Sequence, residues 1–176
     1  MDRKPRLRCD IHWMVRRNLH DVARIAHECF DDAWSSADAE DFASGPSQII
    51  KVATRRRRVV GYIAFEQRPH RYHVHSIAVD PAFWRHGIGS ALIGDLFDKL
   101  QTSARTAVSA AVPETNSEAH RFLRAVGMRA IRVLPGAAPD GRDAYQFAYR
   151  LRVSKSDSLP EAIRQRLNFQ PGFLRG

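Results

Sequence analysis

The residues best suited to chemistry lie in a basic, glycine-containing stretch that follows a run of apolar residues. Arg85 and His86 supply cationic side chains, and Gly87 and Gly89 lack a Cβ, so the chain can turn tightly and an anion can approach its amides. Apolar residues recur every four positions over 88–100, which predicts a helix that begins here. The unpaired amides and the dipole of a helix N-terminus favour negative charge. The stretch therefore predicts a strand-to-helix loop that binds a pyrophosphate.

Two other phosphate-binding motifs do not fit this stretch. A dinucleotide fingerprint needs a third glycine where this chain has Leu92, and a P-loop needs a Gly-Lys-Ser/Thr sequence that is absent. The segment from Ile77 to Leu92 instead resembles motif A of the GNAT superfamily of N-acetyltransferases, in which Arg/Gln-x-x-Gly-x-Gly/Ala follows a Val-x-Pro strand end. Trp84 stands where that family usually has Arg or Gln. The resemblance implies that the ligand is the pyrophosphate of acetyl-CoA.

Two further segments extend the resemblance over roughly residues 10 to 152. Residues 113–128 are similar to GNAT motif B, including Asn116 at the helix start and Gly127 at its end. The turn at 33–35 and the segment 141–147 resemble the RimI-type branch, the ribosomal-protein alanine acetyltransferases. The chain is therefore identified as a member of the GNAT superfamily, with the RimI-type branch as the expected subgroup.

The resemblance also implies which residues contact acetyl-CoA. The backbone groups that would hold the acetyl group and the pantetheine belong to the strand end, at Ile77, Ala78 and Val79. The pyrophosphate is assigned to the loop and the first helical turn, which contain Arg85, His86, Gly87, Ile88, Gly89 and Ser90. The side chain of Asn116 would contact the pantetheine arm, a role that is compatible with capping its helix. No metal is expected in the reaction.

The catalytic positions of the RimI-type pattern are occupied by residues that cannot move a proton. Ala111 stands where the branch has a Glu general base, and Leu123 stands where it has a Tyr general acid. We expect His73 to be the substitute base, because it falls where related branches place a Glu or Tyr and a neutral imidazole can accept a proton. His75 would share its strand face. Tyr145 is the candidate for returning a proton to the leaving thiolate; a packed histidine and a core tyrosine stay open as alternatives.

The missing carboxylate favours one class of acceptor amine. An α-amino group has a pKa of about 7.7–8.0, whereas that of Lys is about 10.4, and deprotonating Lys near neutral pH costs roughly 4 kcal/mol. A site without Glu therefore suits the α-amine of a protein N-terminus. The resemblance to the RimI-type branch implies the same class of acceptor and an association of this protein with the ribosome. Two alternatives remain open: an acetyltransferase for a small-molecule amine, and a non-catalytic acyl-CoA-binding module.

Composition limits the class of protein without naming a partner. The 176 residues suit one globular domain, and the formal net charge of +9, carried mostly by Arg, suits an anionic ligand or an RNA-rich particle. The basic residues are scattered without an aromatic stacking platform, which argues against a dedicated nucleic-acid-binding protein. Cys9 and Cys29 are too few for a disulfide framework and indicate a reducing cytoplasm. The apolar run 11–15 is too short for a membrane span. We expect a cytoplasmic protein that is a monomer or a homodimer.

The order of elements predicts the fold. Strands are expected at 9–17, 48–54, 59–67, 72–79, 107–112, 128–134 and 144–152, and helices at 18–29, 35–42, 86–102 and 116–126. This mixed α/β (α+β) pattern and the resemblance imply a GNAT fold, with a twisted, mostly antiparallel sheet of about seven strands, helices on both faces, and strands splayed at the acetyl-CoA site. We expect one domain over 1–153 and a tail over 154–176 that docks on it or is partly disordered. The arginines at 55–58 are expected to form a solvated hairpin turn.

Overall fold

The computed structural model describes residues 5–31 and 33–151. Within this part the chain forms seven strands and four α-helices, in the order β1 (Asp10–Trp13), α1 (Leu19–Cys29), α2 (Ser36–Ser44), β2 (Gln48–Arg55), β3 (Arg58–Gln67), β4 (Arg71–Val79), α3 (Ile88–Gln101), β5 (Ala107–Pro113), α4 (Ser117–Ala125), β6 (Arg129–Leu134) and β7 (Ala144–Arg150). One-turn 3₁₀ helices precede α1 at Arg16–Asn18 and α3 at Pro81–Phe83. The tail expected at 154–176 lies outside the described residues.

The seven strands form one sheet in the order β1-β2-β3-β4-β5-β7-β6. Neighbouring strands are antiparallel except for β4 and β5. The parallel pairing of these two strands covers only Arg71–Val74 and Ala107–Ala110, so their C-terminal parts separate. The splayed, mostly antiparallel sheet confirms the predicted fold class.

Helices cover both faces of this sheet and bury two apolar clusters. On the α3/α4 face the core includes Leu92 and Leu96 of α3 and Leu123 of α4. On the α1/α2 face Ile25 of α1 packs with Tyr62 of β3. Each large apolar side chain buried in this way contributes about 1.5–3 kcal/mol, which makes the two clusters the main source of stability. None of the described helices is long and apolar enough to cross a membrane.

Local capping signals explain where two of the helices begin or end. Ser35 caps α2, because its Oγ accepts from the Asp38 N–H at 3.2 Å while the Asp38 carboxylate accepts from the Ser35 N–H at 2.8 Å. Gly127 closes α4 with a φ of +92°, and its N–H and that of Met128 donate to carbonyls of the last helical turn at 3.0 and 2.9 Å. Gly127 ends its helix as the sequence predicts, and α2 begins one residue after the start of the predicted range 35–42.

The entry into α1 differs from the prediction. β1 ends at Trp13 rather than at residue 17, because the chain turns into a 3₁₀ helix at Arg16. Asn18 precedes α1 as predicted, but it makes no capping bond there; its Oδ1 accepts from the Val15 N–H at 3.1 Å. The 3₁₀ turn thus uses the side chain of Asn18, a residue type that often caps helices. The other strands and helices end within two residues of their predicted bounds.

Candidate active site

A cleft opens between β4 and β5 where their pairing stops. Beyond Val74, β4 is paired on one side only, with β3. The Asp80 N–H donates to the Val60 carbonyl at 3.0 Å. Because main-chain groups alternate in direction along a strand, Val79 and Ile77 direct their N–H and C=O groups into the cleft. Apart from the Val79 carbonyl, which accepts from Trp84 and Cys29, these groups can bind an extended ligand in the way that a neighbouring strand would.

Ala78 differs from its two neighbours in this respect. It pairs with Tyr62 of β3 and is only 6% exposed. By the same alternation its main-chain groups face β3 rather than the cleft. The alternation favours Ile77 and Val79 as the residues whose main-chain groups can pair with a ligand, and the assignment of Ala78 stays a prediction.

A buried aspartate fixes the loop that leads from β4 to α3. The Asp80 carboxylate accepts from the Ala82 N–H at 3.0 Å and from the guanidinium groups of Arg24 and Arg58 at 3.2 and 3.0 Å. Its side chain is 4% exposed, so both ion pairs lie partly out of water. They connect the loop to α1 and β3 and hold the start of α3 in place.

The start of α3 has the features of an anion-binding turn. Gly87 is the N-cap of α3 with a φ of +81°, a conformation that glycine adopts without strain. The amides that follow it, including that of the exposed Ser90, have no acceptor within the helix. No acidic residue lies in the first turn of α3. Ile88 is buried in the core, so only its amide can contribute to binding.

Gly89 also has a packing role. A Cβ at this position would lie 3.2 Å from the Phe122 ring of α4 and 3.7 Å from Val79. The absence of a side chain therefore leaves room for the Phe122 ring of α4 beside the first turn of α3. The Gly89 amide stays among the helix amides predicted to bind the pyrophosphate.

The two cationic residues of the loop are placed differently. Arg85 is exposed and has a φ of +72°, in the left-handed region that non-glycine residues adopt only at a cost. The Nδ1 of His86 donates to the Pro5 carbonyl at 2.8 Å, and the His86 carbonyl accepts from the Leu7 N–H at 3.1 Å. His86 is therefore bound to the N-terminal segment, and Arg85 is the loop side chain that faces solvent.

Trp84 makes a contact that the sequence did not suggest. Its indole Nε1 donates to the Val79 carbonyl at 2.6 Å, and the Cys29 thiol donates to the same oxygen at 3.4 Å. The ring is 45% exposed. The residue that replaces a cation of motif A thus binds one of the main-chain groups that line the cleft.

Asn116 caps α4, as its sequence position predicts. Its Oδ1 accepts from the Ala119 N–H at 3.0 Å. This bond uses the oxygen and leaves the side-chain NH₂ group as a donor for a carbonyl in the cleft. The capping role and the predicted contact with pantetheine are therefore compatible.

His73 lies on the α1/α2 face, one residue before β4 and β5 separate. Its Nδ1 is 3.0 Å from the Ser109 Oγ of β5, and its ring packs edge to face on that of His75, with 4.9 Å between the ring centroids. Burial, followed by the positive charge of Arg68, lowers the pKa of His73 to about 4. The imidazole is therefore neutral near pH 7.

Glu66, which was not among the residues predicted from the sequence, completes a row of polar side chains on this face. Its Oε2 accepts from the Arg68 Nε at 2.9 Å and lies 3.3 Å from the His75 Nε2. The bond from Arg68 lowers the pKa of the Glu66 carboxyl below its usual range. A signal existed, since counting back from the β3–β4 turn pairs Glu66 with His73. The row Glu66, His75, His73 and Ser109 has a hydrogen-bonding contact at each end and an edge-to-face ring contact between the two histidines, so the carboxylate can stabilise positive charge on this face.

Tyr145 lies on the opposite face of the sheet from His73. It pairs with Val112, packs against the α3/α4 core, and its ring centroid is 5.4 Å from that of His120. It lines a cavity of about 480 Å³ beside α4, together with Glu114 and other residues. The structure therefore does not bring the two proposed catalytic residues together, and each would approach the cleft from a different side.

Residues 19–128 match the model of the Acetyltransferase (GNAT) family. The matched region contains the cleft, the loop at the start of α3, and α4. The chain belongs to the GNAT acetyltransferase family. The predictions of an acetyltransferase and of its superfamily are confirmed, while the RimI-type branch stays a prediction.

One curated relative is an uncharacterized protein of Mycobacterium leprae (strain TN). It is 31% identical over 120 residues, which cover 65% of this chain and 33% of the relative. This GNAT chain thus spans about a third of the length of the relative that it matches. The relative supports common ancestry and carries no assigned activity.

Solved structures share the fold over nearly their whole length. Ard1 from Thermoplasma volcanium superposes with a TM-score of 0.74 and 25% identity, covering 82% of this chain and 99% of that one. The ribosomal-protein-S18-alanine N-acetyltransferase from Escherichia coli gives a TM-score of 0.73 and 19% identity, covering 86% and 99%. At the lower identity the likeness shows the fold alone.

Acetyl-CoA is the cofactor of this GNAT fold, and the residues of the chain fit it. Arabidopsis thaliana NAA60 was solved in complex with acetyl-CoA and superposes with a TM-score of 0.71 and 16% identity, covering 82% of this chain and 100% of that one. In the present structure the fit rests on the open edge of β4 at Ile77 and Val79, and on the first turn of α3, which has no acidic residue. An elongated molecule with a pyrophosphate suits this combination.

Proposed function

We propose that this GNAT acetyltransferase transfers the acetyl group of acetyl-CoA to the α-amine of a protein N-terminus, with ribosomal proteins as substrates, as in the RimI-type branch. The observation that carries the proposal is the open edge of β4, with a neutral histidine, His73, beside the point where the cleft begins. The S18-alanine N-acetyltransferase of Escherichia coli, which shares the fold, supports a protein acceptor.

The chain would hold acetyl-CoA mainly by main-chain groups. When bound, acetyl-CoA supplies an activated thioester. The groups of Ile77 and Val79 would orient the pantetheine and polarise the thioester carbonyl, and the NH₂ group of Asn116 would hold the same arm. The amides of 88–90 and the side chain of Arg85 would bind the pyrophosphate. Positioning of this kind can account for most of the rate enhancement at a site without a carboxylate base.

The basicity of His73 separates two classes of amine. With a pKa of about 4 it could deprotonate an α-ammonium group only at a cost of about 5 kcal/mol, and a Lys ammonium group at about 9 kcal/mol. The acceptor must therefore arrive neutral, which an α-amine does in a useful fraction of molecules near pH 7.5. His73 then accepts the proton that the nitrogen loses as the new bond forms, and the Glu66 carboxylate stabilises positive charge on this row of histidines. Tyr145 remains the proposed donor to the thiolate from the other face.

The proposal extends to the cellular setting. A formal charge of +9 supports association with an RNA-rich particle, and we propose the ribosome as that particle and the cytoplasm as the compartment. Residues 1–153 would form the catalytic domain, as a monomer or a homodimer.

The test incubates the full chain with acetyl-CoA and, separately, with peptides that have free N-termini and with a pool of small amines. Mass spectrometry is expected to find acetyl groups on peptide α-amines and not on lysine side chains. In the same assay the His73→Ala variant should lower turnover by about 10²-fold and leave the Kd for acetyl-CoA unchanged, since it removes only proton transfer.

The matched control is His70→Ala, which removes an exposed histidine from the turn between β3 and β4 and should leave turnover unchanged. Acetylation confined to small amines would contradict the N-terminal assignment. Binding of acetyl-CoA without transfer to any amine would identify a non-catalytic acyl-CoA-binding module.

A further inference from the structure

The N-terminal arm, residues 5–9, is attached to the loop that precedes α3. The Leu7 N–H donates to the His86 carbonyl at 3.1 Å, and the His86 Nδ1 donates to the Pro5 carbonyl at 2.8 Å. These two bonds hold the backbone on either side of Arg6 against the loop. The position of Arg6 is therefore determined by the loop that would bind the pyrophosphate.

The side chain of Arg6 crosses the N-cap of α3. A Cβ placed on Gly87 would lie 3.3 Å from the Arg6 Cγ, 3.7 Å from its Cδ and 3.8 Å from its Nε. The Arg6 side chain thus runs past Gly87, the N-cap residue of α3, with its Nε close to that position. Arg6 forms no ion pair with a carboxylate of residues 5–31 or 33–151.

A cation at this place is unfavourable unless an anion joins it. The N-terminus of a helix carries partial positive charge, and a like charge there costs about 0.3–1 kcal/mol. No acidic residue of the first turn of α3 compensates. At the motif A position that usually carries Arg or Gln, this chain has Trp84, whose indole is bound to the Val79 carbonyl. The loop therefore lacks a cationic side chain at Trp84, and Arg6 of the N-terminal arm supplies one next to the same loop.

We propose that the N-terminal arm is part of the coenzyme A site and that Arg6 binds the pyrophosphate, in place of the cation missing at Trp84. A guanidinium group suits this role because its planar donors match two phosphate oxygens. The inference rests on the proposed binding of acetyl-CoA at the start of α3. It adds a residue from outside motif A, and it predicts that the arm and the cofactor stabilise one another.

The test is calorimetric titration of the full chain with coenzyme A, comparing wild type with Arg6→Ala. Loss of a charge-assisted pair of hydrogen bonds should raise the Kd about 10- to 100-fold. The Arg6→Lys variant should recover part of the affinity. Arg17→Ala is the matched control, because it removes the same charge from an exposed residue beyond the other end of β1 and should change the Kd less than about twofold.

A second titration uses 3′-dephospho-coenzyme A, which keeps the pyrophosphate. Arg6→Ala should lose affinity for it by the same factor. A loss confined to coenzyme A would move the contact to the 3′-phosphate and overturn the assignment. Tighter binding by Arg6→Ala would show that the arm blocks the site, which also overturns it.

The two proposals fail in distinguishable ways. If wild type releases no heat with coenzyme A, the proposed cofactor site is wrong. If wild type binds and Arg6→Ala binds equally well, the cofactor site stands and the role of the arm falls. Because Arg6 is exposed, the variant should keep the circular dichroism spectrum of wild type.

Discussion

Burial makes His73 a group that stays neutral over the physiological pH range. Its Nδ1 is within hydrogen-bonding distance of the Ser109 hydroxyl, while Arg68 and His75 oppose any positive charge on it. A histidine in water is half charged near pH 6.5, whereas His73, with its pKa lowered to about 4, becomes half charged only near that pH. The same environment that leaves it ready to accept a proton makes it hold that proton weakly.

The depressed pKa of His73 predicts a pH dependence of stability. Between pH 6.5 and about 4 the unfolded chain binds a proton at this residue and the folded chain does not, so the unfolding free energy falls as the pH is lowered. The free energy of unfolding should fall by about 2 kcal/mol in all, a value reduced to account for the partial exposure of His73. Urea unfolding of wild type and His73→Asn at pH 7 and pH 4.5 should show a smaller acid loss in the variant.

The exposed His70 provides the comparison. Its replacement by Asn should leave the acid loss as in wild type, because the surroundings of a solvated histidine change little on unfolding. Parallel pH profiles for wild type and His73→Asn would contradict the proposed burial effect.

Residues differ in how far the sequence reveals their roles. Gly87 and Asn116 carry local signals, a glycine turn and a helix cap, and the structure places both as the sequence predicts. For Glu66, counting back from the β3–β4 turn gives its pairing with His73 but not its contact with His75, which depends on the register farther along β4. That register shifts by one residue at His75, where β4 has a bulge, and short-range patterns do not encode this shift.

Among the elements, the β2–β3 hairpin has the least favourable connection. Its two turn residues, Arg56 and Arg57, have φ angles of +49° and +66°. Both angles belong to a type I′ turn, which matches the twist of the strands and normally uses Asn-Gly. The sequence predicts the hairpin but not the turn type, because four arginines carry no preference for positive φ.

Replacing Arg56-Arg57 with Asn-Gly should therefore stabilise the protein. Each side chain with a Cβ costs roughly 1 kcal/mol in the left-handed region, and Asn and Gly remove most of this cost. Part of the gain is offset because Gly adds freedom to the unfolded chain. We expect a net increase of about 1 kcal/mol in the free energy of unfolding, measured by urea denaturation.

The comparison variant, Arg56→Ala/Arg57→Ala, removes the same two charges but keeps a Cβ at each position. It should leave stability nearly unchanged. Equal stabilisation by both variants would attribute the effect to relief of charge repulsion and would contradict the backbone argument.

At the scale of the whole molecule, the sheet consists of two parts that meet at a narrow junction. Strands β1 to β4 pair with the second part, β5, β7 and β6, through the four residues Arg71–Val74 and their partners Ala107–Ala110. The alternation of strands and helices predicts this order of elements. The length of the junction could be expected only from the family resemblance, because no residue pattern marks where two parallel strands separate.

A ligand in the cleft should stabilise the whole fold. Acetyl-CoA at about 100 times its Kd should raise the free energy of unfolding by about 2.7 kcal/mol, because it binds only the folded chain. For a protein of this size the melting temperature should rise by roughly 5–10 °C, measured by scanning calorimetry.

Pantetheine, which lacks the pyrophosphate, is the comparison ligand and should produce a much smaller shift at the same concentration. If acetyl-CoA and pantetheine raise the melting temperature equally, the start of α3 does not bind the phosphates. No shift with either ligand would contradict binding in the cleft altogether.

Gly89 brings the first turn of α3 close to the Phe122 ring of α4. Even an alanine at 89 would require that ring to move by a few tenths of an ångström, and a larger residue would require a larger shift. A related protein that no longer binds coenzyme A can therefore still have a glycine at this position, because packing against the ring requires it. When related sequences are searched for active enzymes, the residues around Gly87 are the informative ones, and the second glycine of the motif is not.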